Sequence, residues 1–95
     1  MEFQWQSSNL KHIIDDYPQR GNTVDEVESI FSDVHLSVLS DQTSPADEPR
    51  FKAIGMSNQN RVLVVVFVIR NDQIRPISCW PANRQTRKRY HESIR

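Results

Sequence analysis

An unbroken run of eight apolar residues at positions 62–69 limits this chain's fold more than any other feature. β-Branched residues dominate the run, which favours a strand, and apolar side chains on both of its faces predict a central strand covered on two sides. The run is far shorter than the ~20 residues that a membrane-spanning helix needs. The chain therefore requires a layer of structure on each face of a sheet, and its 95 residues provide for one domain, 1–95.

The N-terminal third predicts a short strand at residues 3–5 followed by two helices. Ser7 or Ser8 is expected to cap the first helix. The second helix begins at the sequence TVDE (23–26), a capping box in which the threonine and glutamate side chains each bond the other residue's amide. The apolar positions of the first helix are Leu10, Ile13, Ile14 and Tyr17.

From residue 34 onward the hydrophobic period changes to two, which predicts strands. Asn71 and Asp72 predict a tight hairpin turn, Pro76 places the last strand at an edge, and a helix is expected to start at Pro81 or Asn83. The fold class is therefore α+β, with two N-terminal helices, a four-stranded antiparallel meander, the short first strand and a basic C-terminal helix. The meander strands are expected at 34–39, 50–56, 61–70 and 73–80, with an exposed loop at 41–49.

The overall net charge of zero conceals a strong asymmetry between the two halves of the chain. Residues 1–48 contain ten acidic and two basic side chains, a net charge of −8, whereas residues 49–95 contain ten basic and two acidic side chains, a net charge of +8. This asymmetry favours a basic surface that meets a polyanion or an acidic partner. The alternative is that the two halves fold against each other and their charges cancel.

The basic residues of the second half fall on three consecutive predicted elements. Arg50 and Lys52 lie on one strand and Arg75 on the last strand, while the closing helix carries a basic stripe at helical spacing. Guanidinium groups bind phosphate bidentately, so these side chains form an anion site if they share a face. The alternative for the helix is an ordinary solvated face. The basic stripe consists of Arg84, Arg87, Lys88, His91 and Arg95.

Other kinds of chemistry lack their sequence signatures. His12, His35, Cys79 and His91 do not have metal-ligand spacing, and the sequence has no glycine-rich phosphate loop, nucleophile elbow or helix-turn-helix pattern. We therefore expect no metal and no cofactor. A single cysteine excludes an internal disulfide, and the N-terminus lacks a signal-peptide pattern, so a cytoplasmic protein without membrane contact is expected.

Several segments of the chain, in order, follow the pattern of one known family. They are FQW (3–5), HI (12–13), TVDEVESIF (23–31), EPRFKAIG (48–55), RVLVVVF (61–67), IRPISCWPAN (74–83) and RKRY (87–90). The chain resembles BrnT-type toxins of type II toxin–antitoxin systems, which are small RelE-like ribonucleases. The resemblance implies a RelE-like fold, RNA cleavage that arrests translation, and neutralisation by a BrnA-like antitoxin with a DNA-binding ribbon-helix-helix portion, in a hetero-oligomer with the toxin.

The chain departs from that family pattern at two positions. Trp80 stands where an arginine is usual, two places after Ser78, and Thr86 stands where a glutamate is usual. An aromatic ring can stack on a base of single-stranded RNA, which gives Trp80 a predicted binding role. The alternative function is a catalytically weakened module that binds RNA or the antitoxin.

A metal-independent ribonuclease must take the proton of the ribose 2′-hydroxyl and neutralise the charge of a phosphorane-like transition state. We expect Arg50 and Arg75 to bind the scissile phosphate. Glu48 is the first candidate for the base and His12 the second. The non-catalytic interpretations of Glu48 are an exposed loop charge or a salt bridge to Arg50, and those of His12 are a packed or a surface imidazole. The expected RNA-binding residues are Lys52, Ser78, Trp80, Arg84, Arg87 and Lys88.

Overall fold

The computed structural model describes residues 2–41 and 47–94, and it contains an antiparallel sheet that helices cover on both faces. The strands pair in chain order, as a meander. The α+β class is therefore confirmed, while part of the predicted loop at 41–49 lies outside the described residues. The four strands are β1 (Ser37–Ser40), β2 (Phe51–Met56), β3 (Val62–Arg70) and β4 (Gln73–Pro81).

β3 is the central strand that the apolar run predicts. It pairs with β2 on one side and with β4 on the other, and its first seven residues are buried. Side chains alternate between the two faces of a strand, so Leu63 and Val65 enter one apolar layer while Val62 and Val64 enter the other. The run has no polar position from Val62 to Val68 because both faces of β3 are covered there, while Ile69, its last residue, is 43% exposed.

The β3–β4 hairpin confirms the predicted turn. Asn71 and Asp72 have φ angles of 51° and 61°, and two successive residues in the left-handed region are the geometry of a type I′ turn. Farther along β4, Ile77 is an extra residue beside Pro76 with no partner in β3. This β-bulge adjoins Pro76, the proline inside the strand, which has no N–H for the ladder.

The N-terminal helices cover one face of the sheet. α1 (Ser7–Leu10) continues into a π-helical turn (Lys11–Asp15), and α2 (Val24–Ser29) continues into a 3₁₀ turn (Ile30–Ser32). A separate 3₁₀ turn (Pro18–Arg20) connects the two helices. Their side chains complete the main core, whose buried residues are Ile13, Val27, Ile30, Ala53, Leu63, Val65, Phe67, Ile74 and Cys79.

The start of α2 confirms half of the predicted capping box. The Thr23 hydroxyl accepts a hydrogen bond from the Glu26 amide at 3.1 Å. The Glu26 carboxylate does not return a bond to Thr23, because it binds the Ser57 hydroxyl at 2.6 Å and the Arg61 guanidinium at 2.7 and 2.8 Å. A residue expected to cap its own helix therefore ties that helix to the β2–β3 turn.

Two expectations near the N-terminus are corrected. The predicted strand at 3–5 is a single parallel bridge between Phe3 and Ile74. The predicted serine cap of α1 is wrong, because Gln6 occupies the N-cap position. The backbone amide of Gln6 donates to Asn9 Oδ1 at 2.7 Å. The side-chain amide of Asn9 reaches farther than a serine hydroxyl, and its Nδ2 also donates to the Pro76 carbonyl of β4.

The predicted strand at 34–39 begins later than expected. Val34 is 89% exposed, and β1 starts only at Ser37. The reason is local, because the Asp33 carboxylate accepts a hydrogen bond from the His35 amide at 3.0 Å and so stabilises a turn in place of an extended chain.

α3 (Arg84–Ser93) packs on the opposite face of the sheet, where β2 and β4 end and β3 begins. Of the two predicted starts Asn83 is correct, since its Oδ1 accepts from the Thr86 amide at 2.8 Å, and Pro81 ends β4. Within the described part of the chain, no helix is long and apolar enough to cross a bilayer. The residues buried between α3 and the sheet are Val62, Val64, Ala82 and, from α3 itself, Tyr90.

Candidate functional site

Basic residues of β2 and β4 share the face of the sheet that carries α3, but they lie toward the other end of the strands. Lys52 and Ser78 pair with Val66 from opposite sides. Arg75 pairs with Val68, the next residue of β3 on that face. Arg50 lies just before β2, where its carbonyl accepts from the Asp41 amide at 2.8 Å, so the alternation of the strand puts Arg50 on the same face as Lys52. We call Arg50, Lys52, Arg75 and Ser78 the strand cluster.

The Arg75 guanidinium is bound by the N-terminal segment. Its Nη1 donates to Gln4 Oε1 at 3.3 Å and to Gln6 Oε1 at 3.0 Å, and its Nη2 donates to Ser8 Oγ at 2.9 Å. Only 7% of Arg75 is exposed. All three acceptors are neutral, so the hydrogen bonds fix the guanidinium without cancelling its charge.

Glu48 lies beside the strand cluster in an ion pair with Arg70. The Nε and Nη2 atoms of Arg70 donate to the two carboxylate oxygens of Glu48 at 2.7 and 2.8 Å. These hydrogen bonds lower the pKa of Glu48 against a smaller opposing effect of burial, and the charges of Arg50 and Arg75 lower that pKa further. Glu48 therefore forms a salt bridge with Arg70, and not with Arg50 as one interpretation of the sequence had it.

Arg50 carries a donor without an acceptor. Its Nε is buried, and no described residue accepts a hydrogen bond from it. Leaving a buried N–H unsatisfied costs about 1–3 kcal/mol, so such groups are uncommon in folded proteins.

His12 and Arg75 line the same open pocket, which has a volume of about 310 Å³. Ser8, Asn9 and Ile77 complete its lining. The ring of His12 is exposed, on the π-helical turn that follows α1. Of the two candidate bases, His12 thus lies in the pocket of Arg75, while Glu48 forms an ion pair with Arg70.

The two halves of the chain cancel only part of their charge. Among residues 2–41 and 47–94, the ion pairs that join the halves are Glu26–Arg61 and Glu48–Arg70. The remaining pairs, Lys11–Asp16 and Lys88–Glu92, are local in sequence. None of these pairs includes Lys52 or Arg75, so the strand cluster stays basic.

The bases of α3 do not join the strand cluster. Arg87 and His91 line a separate pocket of about 330 Å³ with Met56, Arg61 and other residues at the α3 end of the sheet. Arg87 Nη1 also donates to the Ala82 carbonyl at 2.8 Å. Arg84 and Lys88 are exposed on the helix surface, and Arg95 of the predicted stripe lies outside the described residues.

Trp80 and Tyr90 pack together with the cluster beneath α3. Trp80 is partly buried there, so at least part of its ring is used for packing. The Tyr90 hydroxyl donates to Asp33, which also accepts the Met56 amide at 2.8 Å. Burial and the Asp33 carboxylate raise the pKa of Tyr90 to about 12. The Tyr90 hydroxyl is therefore a fixed link between α3 and the turn before β1.

Cys79 is a buried residue of β4. It is fully buried in the main core, and burial raises the pKa of its thiol to about 12. A thiol so hard to ionise is a poor nucleophile, so Cys79 contributes packing.

Sequence reasoning missed the residues that hold Arg75. Gln4, Gln6 and Ser8 are isolated polar residues in a segment interpreted only as a short strand and a helix cap. Their role depends on the segment lying beside β4, where the Gln4 amide donates to the Ile74 carbonyl at 2.8 Å. No local pattern carries that information.

A comparison with models of protein families matches residues 8–86 to the family described as ribonuclease toxin, BrnT, of type II toxin–antitoxin system. The match covers most of the chain and contains the whole strand cluster. The chain belongs to the BrnT toxin family. Among curated proteins, the search found no match.

BrnT membership implies an RNA substrate and an antitoxin partner. It confirms the resemblance seen in the sequence, although the segments FQW (3–5) and RKRY (87–90) lie outside the matched residues. The matched region ends at Thr86, so the bases Arg87 and Lys88 of α3 lie beyond it.

Proposed function

We propose that this BrnT toxin is a metal-independent endoribonuclease that inhibits translation by cleaving RNA in the cytoplasm. The observation that carries the proposal is the strand cluster, in which Lys52 of β2, Arg75 of β4 and Arg50, just before β2, share one face of the sheet. A bidentate guanidinium is well matched to a phosphate, and two of them can neutralise the charge of the transition state.

The proposed reaction is transfer of the phosphodiester to the ribose 2′-hydroxyl. The 2′-oxygen forms a bond to phosphorus, the bond from phosphorus to the 5′-oxygen breaks, and the products are a 2′,3′-cyclic phosphate and a 5′-hydroxyl. A base takes the 2′-proton, and the 5′-oxygen gains a proton from an acid or water. Arg50 and Arg75 bind the non-bridging oxygens, and Lys52 binds the neighbouring phosphate.

We assign the base to His12 in preference to Glu48. His12 lines the pocket of Arg75, whereas both oxygens of Glu48 accept hydrogen bonds from Arg70. The lowered pKa of Glu48 also makes its carboxylate a weaker base. Glu48 then serves to hold Arg70 beside the cluster.

The proposed antitoxin is a BrnA-like protein with a ribbon-helix-helix portion that binds DNA. The exposed bases of α3, Arg84, Arg87 and Lys88, give an acidic protein surface a place to contact the toxin. A hetero-oligomer that covers this helix and the sheet face would block access of RNA to the strand cluster.

Substitution of the two arginines tests the proposed site. Arg50→Ala and Arg75→Ala should each reduce cleavage of a mixed-sequence oligoribonucleotide by about 10²–10³-fold and relieve growth arrest after induced expression. Lys11→Ala is the matched control, since Lys11 is an exposed base that pairs locally with Asp16. Cleavage should persist in EDTA.

The outcomes separate three conclusions. Loss of cleavage with both arginine variants supports the enzyme. A wild-type protein that binds RNA, does not cleave it and leaves growth unaffected is the binding module instead. If both variants cleave RNA as Lys11→Ala does, the assigned site is wrong.

A further inference from the structure

Arg75 is a buried cation that forms no ion pair with a described residue; Glu48, whose pKa it lowers, lies beyond ion-pair distance and pairs with Arg70. It is 7% exposed, and the side chains that bind it are two amides and one hydroxyl. Moving a charge out of water costs several kcal/mol, which a carboxylate would usually help to offset. Neutral hydrogen bonds recover part of this cost, and the positive charge remains available to an incoming anion.

Arg75 differs in this respect from Arg61 and Arg70, the two arginines that form ion pairs among the described residues. Arg61 uses its Nε and Nη2 to bind the Glu26 carboxylate, and Arg70 uses the same two atoms to bind Glu48. Each of those guanidinium groups is neutralised by a bidentate ion pair. At Arg75 the acceptors are neutral side chains, and they bind Nη1 and Nη2 in place of Nε and Nη2.

Two N–H groups of Arg75 also have no hydrogen-bond acceptor among the described residues. A guanidinium has five N–H groups, and the described hydrogen bonds of Arg75 use three of them. The Nε–H and one N–H of Nη2 donate to no acceptor within residues 2–41 or 47–94. Because Arg75 lines the pocket with His12, an anion that enters this pocket meets a charged group with unused donors.

The N-terminal segment is held in place by bonds that do not involve the side chains of Gln4, Gln6 or Ser8. The Gln4 amide donates to the Ile74 carbonyl at 2.8 Å, and the Ile74 amide donates to the Glu2 carbonyl at 2.8 Å. Asn9 Nδ2 donates to the Gln4 carbonyl at 3.0 Å. The side chains that bind Arg75 can therefore be changed while the segment keeps its backbone hydrogen bonds.

We propose that Gln4, Gln6 and Ser8 are positioning residues that fix Arg75 for the scissile phosphate while leaving its charge uncompensated. This inference rests on the proposed function, in which Arg75 binds that phosphate. It predicts that adding a negative charge here damages catalysis even though the hydrogen bond to Arg75 is kept.

Gln6→Glu is the decisive variant, because it keeps an acceptor of nearly the same shape and adds a charge. The folded protein should form an ion pair with Arg75 and keep or raise its melting temperature, while kcat/KM for an oligoribonucleotide falls at least about tenfold. Gln59→Glu, at an exposed position of the β2–β3 turn, is the control for the charge alone. Equal activity of the two variants would overturn the inference.

Ser8 provides a second measurement that does not depend on charge. Ser8→Ala should lower kcat more than it changes KM, because a loosened guanidinium binds RNA but is misplaced for the transition state. Ser8→Thr keeps the hydroxyl and should restore kcat. If Ser8→Ala and Ser8→Thr have the same kcat, the positioning role is wrong.

The Arg75→Ala variant distinguishes failure of this inference from failure of the proposed function. An inactive Arg75→Ala protein together with a fully active Gln6→Glu protein leaves the site assigned and removes the positioning role. An active Arg75→Ala protein removes the site itself.

Discussion

His12 and Arg75 line one pocket although they come from opposite ends of the chain. The π-helical turn after α1 carries His12, and β4 carries Arg75. They meet because the N-terminal segment runs beside β4, with the Phe3–Ile74 bridge and the Gln4 hydrogen bond fixing its position. A proton acceptor and a phosphate-binding group are thereby placed on the same surface depression.

This pairing predicts that His12 matters more for catalysis than Glu48. His12→Gln should reduce the single-turnover rate of RNA cleavage by about 10²–10⁴-fold, the usual effect of removing a general base. Glu48→Gln should cause a smaller loss, because it weakens the hold on Arg70 and removes no proton acceptor from the pocket. A larger loss in Glu48→Gln than in His12→Gln would reverse the assignment.

The bases of α3 predict a change in the salt dependence of RNA binding. Replacing Arg87 and Lys88 together by alanine should weaken binding and reduce the slope of log K against log salt by about 0.7 for each phosphate that these side chains neutralise. Fluorescence anisotropy with a labelled oligoribonucleotide between low and moderate salt measures both effects. Arg89→Ala is the control on the same helix, outside the basic stripe, and a matching change in its slope would contradict the prediction.

The Glu26–Arg61 ion pair predicts a loss of stability in acid. Arg61 and the Ser57 hydroxyl hold the pKa of Glu26 below its usual value. A lowered pKa in the folded state stabilises the protein above the unfolded pKa of ~4.3, and this stabilisation is lost as the pH falls through the folded pKa. Glu26→Gln should cost about 1.5–3 kcal/mol at pH 7.

Urea unfolding at pH 7 and pH 3 measures this effect. The free energy of unfolding should fall more steeply with acid in the wild-type protein than in Glu26→Gln, since the variant has no carboxylate to protonate at that position. Asp25→Asn, at an exposed position of the same helix, is the control. Parallel pH profiles for the wild type and Glu26→Gln would be inconsistent with the ion pair.

The hydrogen bond from Tyr90 to Asp33 predicts a loss of stability in alkali. The pKa of Tyr90 is raised to about 12 in the folded protein, against ~10 for an unperturbed tyrosine. The stabilisation is complete below the unfolded pKa and is lost as the pH rises through the folded pKa. Tyr90→Phe should lower the free energy of unfolding by about 1–3 kcal/mol at pH 7. It should also flatten the dependence of that free energy on pH between pH 9 and 12. Tyr17→Phe is the control, and its free energy of unfolding should fall between pH 9 and 12 as in the wild type.

The fold was largely predictable because its main signals are local. The apolar run of β3, the period-two strands beside it, the Asn71–Asp72 turn and the Asn83 cap each depend on residues close together in sequence. The errors arose where one side chain had two possible partners. Asp33 turns the chain before β1, and Glu26 binds Arg61 in place of its own helix.

The residue types of the candidate site were also predictable, since phosphate chemistry selects arginine and lysine. Period-two alternation put Arg50 and Lys52 on one strand face, and the register of the meander added Arg75 and Ser78. The sequence did not show that the α3 bases line a different pocket, because helical spacing fixes which residues share a stripe and leaves open the direction in which the stripe points.

The sequence by itself determined the order of elements, the two-sided burial of β3 and the excess of positive charge in the second half. Tertiary structure alone decided which of those charges are neutralised. Glu26 and Glu48 engage Arg61 and Arg70, while Arg75 meets neutral groups from the opposite end of the chain. The physical reason is that electrostatic pairing depends on distances of a few ångströms in space, and the separation of two residues along the chain does not set that distance.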